Sequence, residues 1–244
     1  GEDAGFYFVG DDPTPINGSL PFDENYGRTR FCRIKNCIAK NVGTFEKNLD
    51  LGIQKIAAGF YITYFCNDLT FENCIAAGNC KSITNTLGGG FFVHYVLYPF
   101  SDTGNSSIFN INFIECDANN NGTIFESFLN HAGMLVYDEF FKSNPYKTLS
   151  SIVVTNCKFY NNVYGIYCRT LFNALSNVFL GNEIYSNFAN GIFSDTTLNQ
   201  NNVFVKNVAY SNQINYNGLV PGVISLQNAN TLVDNYGILN ADIN

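Results

Sequence analysis

Seven ten-residue segments of this chain align without a gap, and few folds can accommodate that. They are CRIKNCIAKN (32–41), LTFENCIAAG (69–78), INFIECDANN (111–120), IVVTNCKFYN (152–161), VFLGNEIYSN (178–187), VFVKNVAYSN (203–212) and TLVDNYGILN (231–240). The first column holds Cys32, Leu69, Ile111, Ile152, Val178, Val203 and Thr231, and the third Ile34, Phe71, Phe113, Val154, Leu180, Val205 and Val233. Apolar residues two apart mark the inward face of a strand. The fifth column is Asn36, Asn73, Glu115, Asn156, Asn182, Asn207 and Asn235, and the tenth is Asn in every copy but one, where Gly78 stands. Asn tolerates left-handed backbone and bonds its own main chain, so it suits a bend.

A third segment starts at glycine and runs apolar: Gly59, Gly90, Gly133, Gly165, Gly191 and Gly222, with GFYF at Gly5 as a partial first copy. Each unit reads as strand, Asn bend, strand, Asn bend, connection, glycine strand. One unit cannot bury its inner face alone, whereas stacked units build a continuous core. The expectation is an all-β fold: a right-handed parallel β-helix of about seven coils, with Gly and Asn at the corners and Asn amides bonding from coil to coil. A β-sandwich does not account for the gapless copies. Residues 1–30, rich in Pro, Gly and Asp, read as a lead-in or cap, and residues 31–244 as one solenoid domain.

Composition narrows the function. Asn contributes 37 of 244 residues, aromatic residues 16% and charged residues only 14%. Such a chain is too apolar for disorder. The net charge is −7 with no Lys/Arg cluster, which argues against a nucleic-acid partner. No apolar run reaches the ~18 residues of a membrane-spanning helix. Of eight cysteines, Cys37, Cys74, Cys116 and Cys157 share the sixth column and are expected above one another as small core residues. Their C-x2-C spacing is absent, so no zinc site is expected.

The strings FNIN (109–112), FYNN (159–162), FLGN (179–182), FVKN (204–207) and GGGFF (88–92) resemble repeats of the pectin-lyase-like right-handed β-helices, in particular those of chlamydial polymorphic outer membrane proteins. The likeness spans roughly residues 30–240. It implies an adhesin-type surface protein, placed outside the cell or at its surface, with a glycan or a host or cell-surface protein as partner. No β-barrel anchor is visible in the sequence.

Features that occur once are better guides to function than repeated ones. Two insertions leave the glycine strand in successive units: YVLYPFSDTGNSS (95–107) and DEFFKSNPYKTLS (138–150). Their Tyr95, Tyr98, Phe100, Asp102, Asp138, Glu139, Phe140, Phe141 and Tyr146 form the expected ligand-binding set, because aromatic and carboxylate side chains on loops can seat a sugar or a protein. The enzyme alternative is a polysaccharide hydrolase or lyase built on Glu115, Asp117 and Lys158. The plainer reading of Asp117 and Lys158 is a cross-strand charge pair. RIK (33–35) echoes a polygalacturonase string, but the accompanying G-H-G turn is missing. His94 and His131 flank glycine strands and read as structural. No cofactor is expected, and a Ca²⁺ site has no support in the sequence. A structural subunit of a fibre, virion or cell wall, associating end to end, is the third reading. N-x-S/T sequons stand at Asn17, Asn105 and Asn121.

Overall fold

The computed structural model describes residues 2–9, 29–43, 55–63, 66–81, 86–95, 108–123, 131–138, 149–169, 177–194, 202–217, 220–221 and 231–233. Among these residues every regular element is a strand. In chain order they are β1 (Glu2–Phe8), β2 (Thr29–Arg30), β3 (Arg33–Lys35) and β4 (Ile38–Lys40), then β5 (Lys55–Thr63), β6 (Cys66–Glu72) and β7 (Ile75–Ala77), then β8 (Thr86–Tyr95), β9 (Ile108–Ile114) and β10 (Asp117–Asn119). Next come β11 (His131–Asp138), β12 (Leu149–Thr155) and β13 (Lys158–Tyr160), then β14 (Tyr164–Arg169), β15 (Asn177–Leu180) and β16 (Glu183–Tyr185), then β17 (Asn190–Ser194), β18 (Asn202–Val205) and β19 (Val208–Tyr210). β20 (Ile214–Asn217), β21 (Val220–Pro221) and β22 (Thr231–Val233) follow.

From β5 to β20 every third strand joins the same sheet. Sheet 1 runs β1-β5-β8-β11-β14-β17-β20, sheet 3 runs β4-β7-β10-β13-β16-β19, and sheet 2 carries β2, β3, β6, β9, β12, β15, β18, β22 and β21. All pairings are parallel. Three parallel sheets wound from consecutive strands make a parallel β-helix. The glycine strands from Gly59 to Gly191 belong to sheet 1, GFYF lies in β1, paired with β5, and Gly222 lies outside the described residues.

The corners come from left-handed residues five apart: Asp68, Asn73 and Gly78 in one circuit, Asn110, Glu115 and Asn120 in the next, then Ser151, Asn156 and Asn161. Asn at Asn36, Asn41, Asn73, Asn120, Asn156 and Asn161 thus does what its backbone tolerance suggests. The residue after each corner turns inward. After the last corner this gives a continuous inward ladder, with Asn79, Asn121, Asn162 and Asn187 buried and Asn212 half-buried. The Asn162 side-chain oxygen accepts both the backbone N–H of Asn121 (3.0 Å) and its side-chain amide (2.9 Å). The Asn121 amide donates back to the Ala76 carbonyl at 3.0 Å. Asn162 repeats this on Asn187 and Ala118, and Asn187 on Asn212 and Phe159.

The ladder explains the glycine column. Gly59, Gly90, Gly133, Gly165 and Gly191 do not turn corners, as the sequence suggested; they sit inside strands. A Cβ at Gly133 would stand 2.7 Å from the Asn162 amide nitrogen, and one at Gly191 2.6 Å from that of Asn212. Glycine leaves the space that the ladder fills.

The gapless alignment slips by one residue at its fifth copy. Val153 pairs with Val178 and Val154 with Phe179, so Phe179 and Phe204 point inward and are fully buried, while Leu180 faces out. Asn182 and Asn207 consequently stack on Cys157, not on Asn156: the Cys157 amide donates to the Asn182 oxygen at 2.9 Å, and Asn182 to Asn207 at 3.0 Å. Three successive apolar residues in VFLGN and VFVKN fit either strand register, and a one-residue slip exchanges the faces. Gly181, left-handed at the corner, marks the true register.

Inside, aromatic rings stack along the axis: Phe6–Phe60–Phe91 at 4.8 and 4.9 Å, Phe71–Phe113 at 4.9 Å and Phe179–Phe204 at 4.7 Å. Each such pair adds about 0.5–1.5 kcal/mol beyond its area. Cys74, Cys116 and Cys157 lie buried one above another as expected, and all eight cysteines are free thiols. The Cys157 thiol beside it, opposed by Cys74 and reinforced by burial, pushes the Cys116 thiol up to about 12. Sheet 1 is also buried on its outer face by a second cluster including Tyr61, Phe92, Leu135 and Tyr167. That double burial accounts for the nearly unbroken apolar runs of the glycine strands.

Asn162→Ala leaves two buried donors of Asn121 without an acceptor and should cost about 3 kcal/mol in urea unfolding. Gly133→Ala should also destabilise. The double variant should recover at least about 1 kcal/mol of the summed loss, because both changes act on one contact. A thiol reagent should modify exposed Cys32 in the native protein and reach Cys74, Cys116 and Cys157 only after unfolding.

Candidate functional site

The strands of sheet 3 are three residues long, because corners close in on both sides. Their middle residues, among them Ala76, Ala118, Phe159, Ile184 and Ala209, are buried inside. The flanking residues therefore form two outward columns. Parallel register sets Ile75, Asp117, Lys158, Glu183 and Val208 in one, and Ala77, Asn119, Tyr160, Tyr185 and Tyr210 in the other.

The second column ends in a tyrosine ladder. Tyr160 and Tyr185 stack at 4.9 Å with planes 1° apart, and Tyr185 and Tyr210 at 5.1 Å with planes 5° apart. Tyr210 is 40% exposed. Its hydroxyl donates to Glu183 Oε1 at 2.8 Å, and that carboxylate holds the phenol up at about 12. Lys158 Nζ reaches Glu183 Oε2 at 3.5 Å.

Asp117 and Lys158 are register neighbours, as the cross-strand reading required. The Lys158 ammonium nevertheless contacts Glu183, and Asp117 Oδ1 is buried with no hydrogen-bond partner. Burial raises the Asp117 pKa, opposed by Lys158 and reinforced by Glu183. Glu115 is exposed at the corner before β10, with a φ of 52° that L-residues other than Asn and Asp adopt reluctantly. The structure thus places Asp117 and Lys158 on one strip and Glu115 at its margin.

The RIK string has a local explanation. Arg33 Nε and Lys35 Nζ donate to the two carboxylate oxygens of Glu72 at 2.9 and 2.7 Å, and Lys35, then Arg33, hold Glu72 below the usual carboxylate range. His131 is buried, its Nδ1 accepting the Thr123 amide at 3.3 Å.

The expected loop site lies mostly outside the described residues: Tyr98, Phe100, Asp102, Glu139, Phe140, Phe141 and Tyr146 are all there, as are the side chains of Tyr95 and Asp138. The roots of both insertions are described. Tyr95 and Asp138 pair in register at the ends of β8 and β11, so the two segments leave from adjacent rungs. Just before these roots, Thr63, His94, Tyr137 and Arg169 form one column on the outer face of sheet 1. Tyr61 and His94 Nδ1 share a 2.8 Å hydrogen bond, and Arg169 donates to the Tyr137 hydroxyl at 2.9 Å. Sequence reasoning missed this column. Its signal was a polar or hydroxyl-bearing residue at or next to the end of each of these four glycine strands.

No protein-family model, curated protein or solved structure matches the chain.

Glu115→Asn should raise stability by about 1 kcal/mol in thermal or urea unfolding, since Asn accepts the corner conformation. In an absorbance titration, Glu183→Gln should bring Tyr210 ionisation down from about 12 towards the ordinary tyrosine range.

Proposed function

We propose that this protein is a non-catalytic recognition protein, working outside the cell or at its surface, whose β-helix displays ligand-binding surfaces. We take the helix to be right-handed, of about seven coils and of pectin-lyase-like type. Parallel strands joined by crossovers wind that way in about 98% of cases. The observation that carries the reading is the strip of stacked Tyr160, Tyr185 and Tyr210, the first two half-buried and the third exposed, which presents ring edges and hydroxyls beside a single charged column. Glycoside cleavage needs two carboxyl groups facing a common bond from about 5–9.5 Å apart. On this strip Lys158 lies between Asp117 and Glu183 in register, and its ammonium is engaged with Glu183. An aromatic strip with hydroxyl edges instead suits binding, where ring and hydroxyl serve together. A glycan is the ligand class this chemistry favours. The loops rooted at Tyr95 and Asp138 supply a second surface for the same task.

A glycan array probed with the intact chain tests this, alongside an assay for released reducing ends. Binding without release is expected. Tyr185→Ala should weaken it by about tenfold, equivalent to about 1.4 kcal/mol. Tyr98→Ala and Phe141→Ala measure the loop contribution. Sustained release of reducing ends, abolished by Asp117→Asn, would overturn the non-catalytic reading.

A further inference from the structure

We infer that the sheet 3 strip takes one kind of glycan: a neutral, extended, β-linked polysaccharide lying along the solenoid axis. The inference rests on the recognition reading above and specifies its ligand.

Geometry gives the direction. The rings of Tyr160, Tyr185 and Tyr210 repeat at 4.9 and 5.1 Å in nearly parallel planes, following the spacing of the rungs. A row of equal steps matches a polymer whose units advance by about one rung each, and matches it only when the polymer runs along the row. A compact or branched glycan would meet one tyrosine and leave the others idle. Ile75 and Ala77, the outward residues of β7, carry neither ring nor charge, so the strip begins at β10.

Charge gives the class. Beside the rings stand two carboxylates, Asp117 and Glu183, and one ammonium, Lys158. Lys158 is already engaged with Glu183. Glu183 is also taken by the Tyr210 hydroxyl, so the strip offers Asp117 as an acceptor for a sugar hydroxyl, and hydroxyl-to-carboxylate hydrogen bonds are the stronger kind. An acidic polysaccharide would bring its carboxylates against this column, on a chain whose net charge is already −7. Asp117 is the clearest acceptor. Its Oδ1 lacks a hydrogen-bond partner, and a buried acceptor left unmade is costly. A side-chain rotation that meets a ligand hydroxyl would relieve that cost.

The test uses soluble probes on the intact chain: hydroxyethylcellulose and polygalacturonate in affinity electrophoresis, and cello-oligosaccharides of increasing length in calorimetry. Retardation by hydroxyethylcellulose and not by polygalacturonate is expected, with little change between low and high salt. Affinity should climb with oligosaccharide length until the roughly 10 Å between the outer rungs is spanned, then level off. Tyr185→Ala should weaken binding about tenfold, and Asp117→Asn several-fold. Tyr185→Phe, which keeps the stacked ring, should retain most of the affinity and guards against misreading a folding defect.

Preference for polygalacturonate, binding that strengthens as salt falls, or affinity indifferent to length would each overturn the inference while leaving recognition standing. Equal binding by wild type and Tyr185→Ala would remove the strip as the site. Failure of every glycan on the array, with a protein ligand found instead, would also sink the neutral-glycan assignment.

Discussion

Everything in this fold hangs on one recurrent contact, a buried Asn amide filling the space of an absent glycine side chain. The Asn oxygen accepts a main-chain and a side-chain N–H from the neighbouring rung, and its nitrogen returns a bond to a carbonyl of the previous turn. A corner residue's polar neighbour is thereby buried with its bonding capacity used, which is the condition for burying an amide at all. The glycine column and the Asn column are two halves of one device. Neither can change alone without either a clash or orphaned donors.

Much of this was legible in sequence, and the failures are instructive. Asn36, Asn73, Asn120 and Asn161 announced left-handed corners because few residue types tolerate them. The apolar pairs Leu69/Phe71 and Ile111/Phe113 announced an inward face because alternation has no other use. The ladder residues Asn79, Asn121 and Asn162 were overlooked for a simple reason. Each follows another permissive residue, Gly78, Asn120 or Asn161, and two adjacent turn-formers look interchangeable on paper. One is bent and lies outside the core, the other straight and buried. In the later copies Ser186 and Lys206 take the bend, so the Asn that remains visible belongs to the ladder. Aligning visible Asn with visible Asn therefore shifted the fifth copy by one.

The surface was harder to read than the core. The tyrosine ladder draws on copies whose neighbours differ, and its stacking depends on register that the shifted alignment had wrong. Tyr160 with Tyr185 became a pair only when Lys158 was set against Glu183. The Thr63–His94–Tyr137–Arg169 column was hidden differently: no two of its residues are chemically alike, so no repeat search could find it. Short three-residue strands and tight corners keep sheet 3 narrow, whereas the connections beside sheet 1 are long. One side of the solenoid thus presents an ordered strip of side chains, and the other the roots of its insertions.

One member of the ladder has a chemical lifetime. Asn121 is followed by Gly122, the dipeptide in which an asparagine side chain most readily cyclises onto the next backbone nitrogen and hydrolyses to aspartate. It is also the asparagine of an N-G-T acceptor sequence, yet its side chain is buried and bonded on both sides. Folding shields that side chain. In an unfolded chain it would be open to this hydrolysis, and an aspartate could not take its place in the column. The ladder therefore also sets a clock on how long the newly made polypeptide can wait to wind.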